Sequence, residues 1–268
     1  MGYEDLCTAL GDQLDSGSYH DNTYGEYHPS GLSGCPLGVF LDFMTEDETE
    51  YNHYMFSGTA VHYYLQESGK LTQALHNAGF NAMYTEYEVQ NKHHIGDGAH
   101  VIGRVDALAD SPEKRVVIDI KYTSLKPQYD NGRLLKYASQ VNTYANMFDA
   151  DEWVLLMIYS KADSVPDEID YISGETDQEN WEITKDKARN IHEALTAAGF
   201  HDGVRWSVDE LKERGPGFWE EIMEHFDEDR VPAYDGELKY SDRDEWVLPY
   251  QDNWREDEKS GGLMSFKS

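Results

Sequence analysis

Four residues of this chain have types and spacings suited to metal-assisted hydrolysis: His62, Asp106, Asp119 and Lys121. Asp106 closes Gly103-Arg-Val-Asp106, and Asp119 and Lys121 end Val116-Val-Ile-Asp-Ile-Lys121. Both acids interrupt apolar runs that read as strands, Val101–Ala109 and Arg115–Tyr122. A carboxylate in such a strand costs several kcal/mol unless it is paired or bound to a metal. Two acids in consecutive strands can hold a hard divalent cation, which polarises a phosphate and makes hydroxide from water near neutral pH. Side chains alternate along a strand, so Asp119 and Lys121 share a face. An ammonium there is placed to orient the attacking water or help to deprotonate it, and the Ile120 carbonyl is placed to complete the coordination shell.

Taken alone, Asp119-X-Lys121 is equally well a same-face ion pair at a solvated edge, and a lone histidine on an apolar helix is usually a structural residue. The surroundings make the set more specific. Gly58-Thr-Ala-Val-His62 opens a helix before the strands, and Gln140-Val-Asn-Thr-Tyr144 lies at helical i, i+4 spacing after them. The histidines His53, His93, His94 and His100 suggest a zinc site as a rival, but they show no HXXXH, HEXXH or Cys–His spacing.

In that order and on those elements, Gly-X-X-X-His, Gly-X-X-Asp, Asp-X-Lys and Gln-X-X-X-Tyr resemble the RecB-like branch of the PD-(D/E)XK nucleases over about residues 30–160. The resemblance implies an α/β (α+β) restriction-endonuclease-like core, a central mixed sheet flanked by helices. It implies that His62, Asp106, Asp119 and the Ile120 carbonyl bind Mg²⁺ or Mn²⁺, that Lys121 serves the water, and that Gln140 and Tyr144 orient the site or the nucleic acid. It further implies an accessory acid at Glu86 or Glu88 and an outer supporting acid at Glu67. DNA is the implied partner, with recombination or replication proteins beside it and no membrane. The Gly-X-X-X-His and Gln-X-X-X-Tyr motifs favour a DNA-end-processing exonuclease over a junction resolvase. A catalytically silent DNA-binding or assembly subunit is the alternative. Ser30–Phe43, with Cys35, looks like the helix that donates the first iron–sulfur cysteine in some relatives. Residues 160–268 contain no cysteine, so no iron–sulfur cluster is expected and Cys35 is read as a small core residue.

The elements needed to position these groups are legible in outline. A broken helix starts at Ser30, and a second helix runs from Gly58 to about Ala78 and is closed by Gly79. Strands at Tyr84–Gln90, Val101–Ala109 and Arg115–Tyr122 read as an antiparallel meander. Leu134–Phe148 is helical, and Glu152–Tyr159 is a strand buried on both faces. A strand at 166–173 follows, then helices at 178–199 and 207–227 and an irregular tail. The organisation reads as an irregular arm at 1–29, a nuclease domain at 30–200 and an acidic extension at 201–268.

With 268 residues, 39% of them hydrophobic, the chain can bury a sizeable core. No apolar run approaches the roughly 20 residues of a membrane span, and two cysteines make no disulfide framework. A soluble cytoplasmic protein is expected. The 52 acidic residues against 22 basic ones give a formal charge of −30. In molar salt the Debye length falls to about 3 Å, so distant acids no longer repel DNA and the acidity reads as halophilic adaptation.

Overall fold

A run of apolar residues broken once, at Val105 and Asp106, divides the chain between two sheets. The computed structural model describes residues 23–45, 53–84, 90–123, 131–159, 169–200, 205–207, 210–211 and 213–226. Strand β1 (Glu26–Tyr27) lies parallel to β4 (Ala99–Arg104), which forms a hairpin with β3 (Gln90–Gly96), giving a three-stranded sheet in the order β1-β4-β3. The second sheet has the order β2-β5-β6-β7-β8, from β2 (Asn81–Tyr84), β5 (Ala107–Asp110), β6 (Arg115–Thr123), β7 (Glu152–Tyr159) and β8 (Ile169–Glu175). Within it β6 and β7 are parallel and the other pairs antiparallel. The architecture is mixed α/β, with helices packed on the sheets.

The helices are α1 (Pro29–Leu32), α2 (Pro36–Met44), α3 (His53–Glu67), α4 (Lys70–Asn77), α5 (Asn131–Met147), α6 (Gln178–Ala197) and α7 (Gly215–Met223). Local chemistry sets several of their ends. Pro36 opens α2, where a missing N–H costs nothing. The Asp177 carboxylate caps α6 by accepting the Glu179 N–H. Gly69, at φ 68°, turns the chain between α3 and α4. Helix α5 connects the parallel pair β6 and β7. It packs with α6 over one face, around Val117, Leu155, Val141, Ala145, Ile191 and Leu195. Helices α3 and α4 cover the other face, where Leu71, Leu75, Val116, Ile118 and Ile120 form a second apolar cluster.

Several sequence expectations change. The strand expected over Val101–Ala109 is two strands in different sheets, and Tyr84 and Gln90 also belong to different sheets. The meander is therefore a β3–β4 hairpin followed by β5–β6. The Gly96-Asp97-Gly98 turn joins the two strands of that hairpin, and the strand before it is Gln90–Gly96 rather than Tyr84–Gln90. The helix expected from Gly58 starts at His53 and breaks at Gly69. Strand β7 is buried through Trp153, Leu155 and Met157 on one face but only half covered through Val154 and Leu156 on the other. Part of the expected arm is integral: Tyr27 is fully buried, and its hydroxyl meets His192 Nδ1 at 2.9 Å. Beyond position 200, the helix expected over 207–227 is the shorter α7, and Leu211, Trp219, Ile222 and Phe226 join the main apolar cluster. The tail after 229 lies outside the described residues. Among the described residues no helix is long and apolar enough to cross a membrane.

Gly103 lets β4 approach α5. A Cβ there would lie 2.8 Å from Met147 Sδ and 3.0 Å from the Tyr144 ring. Gly103→Ala should therefore cost about 1–3 kcal/mol by overpacking. Urea unfolding checks this, and an unchanged midpoint would show that α5 stands off freely.

Candidate active site

The β5–β6 ladder ends at Ala107↔Ile118. One more step of the same register sets Asp106 across from Asp119, and there the chain turns away towards the other sheet. Had pairing continued, the Ile120 N–H would have met Val105 on the neighbouring strand. Asp106 Oδ2 takes that place, accepting the Ile120 N–H at 2.7 Å. Two further contacts hold the bend: His62 Nδ1 lies 2.9 Å from Asp106 Oδ1, and Gln66 Nε2 donates to the Asp106 carbonyl at 3.1 Å. His62 and Gln66 are one turn apart on α3 and reach the same residue. In a strand a residue's N–H and C=O point to the same side. The Ile120 carbonyl is thus directed to the side where Asp106 sits.

Asp119 is 3% exposed and faces α5. Lys121 Nζ forms an ion pair with its Oδ2 at 2.9 Å, and no other donor reaches this buried oxygen among the described residues. The same ammonium lies 5.2 Å from the centre of the Tyr137 ring. Gln140 Nε2 donates to the Tyr144 hydroxyl at 2.9 Å, and both side chains are buried. The structure thus brings His62, Asp106, Asp119, Ile120, Lys121, Gln140 and Tyr144 into one neighbourhood. Glu67 is exposed at the end of α3 and touches none of them; the helical turn presents Gln66 inward instead. Sequence reasoning missed Gln66, although its i, i+4 relation to His62 was a usable signal. Glu86 and Glu88 lie outside the described residues. Cys35 is a half-buried thiol at the start of α2, packed against the main core.

The electrostatics follow from burial beside charge. Burial pushes the Asp119 carboxyl above the usual carboxylate range, with Asp106 adding to the effect and Lys121 opposing it. Burial would lower the pKa of Lys121, but the charges of Asp119 and, less strongly, of Tyr144 and Asp106 outweigh it and hold the amine above its ordinary value. Lys121 is therefore a fixed ammonium. Burial, with the charge of Asp119, raises the Tyr144 hydroxyl to about 12, so it stays protonated. For His62, burial acts downward, while the hydrogen bond to Asp106 and the charges of Asp106 and Asp119 raise it past the usual histidine value. The pair's stabilisation is complete below the ordinary histidine range and is lost as pH rises through the raised value.

Among the described residues no three His, Cys, Asp or Glu side chains form a ready cage. His62 occupies Asp106 Oδ1, and Lys121 faces Asp119. Mg²⁺ does not need such a cage, because one or two carboxylates with water and substrate phosphate suffice. Two carboxylates, one of them with a buried oxygen that only Lys121 faces among the described residues, and an inward carbonyl fit a hard cation of that kind.

No protein-family model and no curated protein matches the chain. Among solved structures it is similar to a protein called SSO0001, at 18% identity and a TM-score of 0.43, covering 71% of this chain and 85% of that one. It is also similar to a phage-related exonuclease from Haemophilus somnus 129PT, at 13% identity and a TM-score of 0.45, covering 68% of this chain and 97% of that one. Both scores fall below 0.5, and nothing about the chemistry of this chain follows from them.

A buried ion pair kept for chemistry is replaceable without loss of stability. Apolar replacement of both members of such a pair is typically neutral or stabilising by about 1–4 kcal/mol. Asp119→Leu combined with Lys121→Met should thus unfold in urea at or above the wild-type midpoint. A clear drop would mark the pair as part of the scaffold.

Proposed function

We propose that this chain is a metal-dependent DNA nuclease with a RecB-like PD-(D/E)XK site, acting as an exonuclease on DNA ends. The observation that carries this reading is the opposition of Asp106 and Asp119 where the β5–β6 ladder stops, with Lys121 beside the buried acid. The motif order supports it, since the two acids, the lysine, His62 and the Gln140–Tyr144 pair all meet at this point. Asp106, Asp119 and the Ile120 carbonyl would hold Mg²⁺ or Mn²⁺. His62 has Nδ1 engaged with Asp106 and would contribute through Nε2. The bound cation would supply phosphate polarisation and an activated water.

The chain's own groups then have distinct tasks. Lys121, held as an ammonium by the neighbouring acids, orients the attacking water and stabilises negative charge growing on the phosphate. Tyr144, protonated and held by Gln140, donates to the substrate or to the water network. His62 and Gln66 keep Asp106 at the ladder's end. The proposed setting is DNA end processing in a salt-rich cytoplasm. There the −30 charge is screened, and binding depends on coordination and hydrogen bonding more than on counterion release.

The roles separate by mutation. Asp106→Ala and Asp119→Ala should lose both Mn²⁺ binding by calorimetry and cleavage of end-labelled linear DNA in high KCl. Lys121→Ala should keep metal and DNA binding and lose turnover by at least about a hundredfold, the usual scale for one group that stabilises developing charge. Gln140→Ala and Tyr144→Phe should be milder. Wild-type protein that binds DNA ends but never cuts them with Mg²⁺ or Mn²⁺ would make it a silent binding subunit, and a fully active Lys121→Ala would remove this lysine from the mechanism.

A further inference from the structure

The outer face of the three-stranded sheet carries a second arrangement of side chains, unrelated to the site above. His94 and His100 are directly opposite each other across the β3–β4 hairpin, two residues from the Gly96-Asp97-Gly98 turn on either side. Their ring centroids are 5.0 Å apart and their planes are tilted by 51°. Strand alternation turns Val101 and Ile95 into the core and His94 and His100 outward. His94 is exposed and His100 partly so.

Other histidines of the fold have definite work. His28 and His93 bond the carbonyls of Ile102 and Met147, and His192 joins the Tyr27 hydroxyl to the Asp97 carbonyl. The rings of His94 and His100 have no hydrogen-bond partner among the described residues, so their nitrogens are available. The separation of the rings also matches that of a chelating pair. An imidazole nitrogen bound at about 2.0–2.1 Å puts its ring centroid roughly 3.2 Å from the ion, so two rings at a tetrahedral angle have centroids roughly 5.2 Å apart. The observed 5.0 Å lies close to that separation, whereas a 51° tilt is poor for stacking.

We propose that His94 and His100 form a two-imidazole site for a borderline divalent transition metal, Zn²⁺, Ni²⁺ or Cu²⁺. Imidazole suits these ions, with affinity highest for Cu²⁺, and does not suit Mg²⁺. Among the described residues no third His, Cys, Asp or Glu completes the set. Glu26 is the ladder partner of His100, but its carboxylate is held by Lys92 Nζ at 2.7 Å. Water therefore fills the remaining positions, and the site is a surface clip rather than a structural cage. The clip would tie β3 to β4, the strand that leads through Gly103 and Val105 to Asp106.

Calorimetric titration with ZnCl₂, in the presence of excess Mg²⁺ to occupy any hard-cation site, tests this on the full chain. Wild type should bind Zn²⁺, and His94→Ala and His100→Ala should each weaken the event at least about tenfold, since even the outer partners of a ligand are commonly worth that much. His76→Ala, on α4, should bind like wild type. Circular dichroism spectra matching wild type establish that each variant is folded. A Cu²⁺ complex should show hyperfine splitting from two nitrogens in electron paramagnetic resonance, reduced to one in either variant. Zn²⁺ binding unchanged in both variants, or no Zn²⁺ binding by wild type, would overturn the site. Neither outcome bears on the nuclease reading, which rests on the other sheet.

Discussion

The hydrogen bond from the Ile120 N–H to Asp106 Oδ2 is the contact on which the site's architecture depends. It ends one sheet pairing and starts the chain's passage to another sheet without leaving a buried donor unpaired, an omission that would cost about 1–3 kcal/mol. The same bond sets the acid's position, because a carboxylate standing in for a ladder carbonyl has little freedom to move. His62 and Gln66 then grip its other oxygen and its main chain from α3. Gln66 Oε1 is itself buried without a hydrogen-bond partner among the described residues. Sheet division, helix docking and carboxylate placement thus come from a single bend.

Around that bend the fold accepts electrostatic costs that stability alone would not select. Asp119 is almost fully buried, with one oxygen that only the Lys121 ammonium faces among the described residues. Burial disfavours the charged forms of both partners, and the pair persists because each holds the other ionised. Helix α5 closes the arrangement through Tyr137, Gln140 and Tyr144, and it can approach because Gly103 offers no side chain. Fixed charges held away from water are worth far more to chemistry than the same charges in solvent.

Much of this was legible from the chain, and the remainder failed for physical reasons. The two-residue period places Asp119 and Lys121 on one face whatever the surrounding sheet does, so local sequence suffices for that pair. Asp106 was identifiable as an acid in an apolar run, but its setting was not. The run from Val101 to Ala109 has no Gly-Pro punctuation where it bends, because a tertiary hydrogen bond to Ile120 makes the break. The β3–β4 hairpin differs in its bounds: Gly96-Asp97-Gly98 does turn between two antiparallel strands, but the first of them is Gln90–Gly96 rather than Tyr84–Gln90. Once that hairpin is drawn correctly, His94 and His100 fall opposite each other at once. Tyr27 and Trp219, on segments that read as decoration, are buried because distant parts of the chain cover them.

The central claim is that Asp106, Asp119 and the Ile120 carbonyl converge on one hard cation. Anomalous diffraction from crystals soaked in Mn²⁺ tests it most directly. An anomalous peak is expected, bounded by those three groups, with Asp106 and Asp119 oxygens at coordination distance and Lys121 beside but not bound to the ion. Ordered Mn²⁺ elsewhere, with the Asp119–Lys121 pair intact and no density between the two acids, would contradict it.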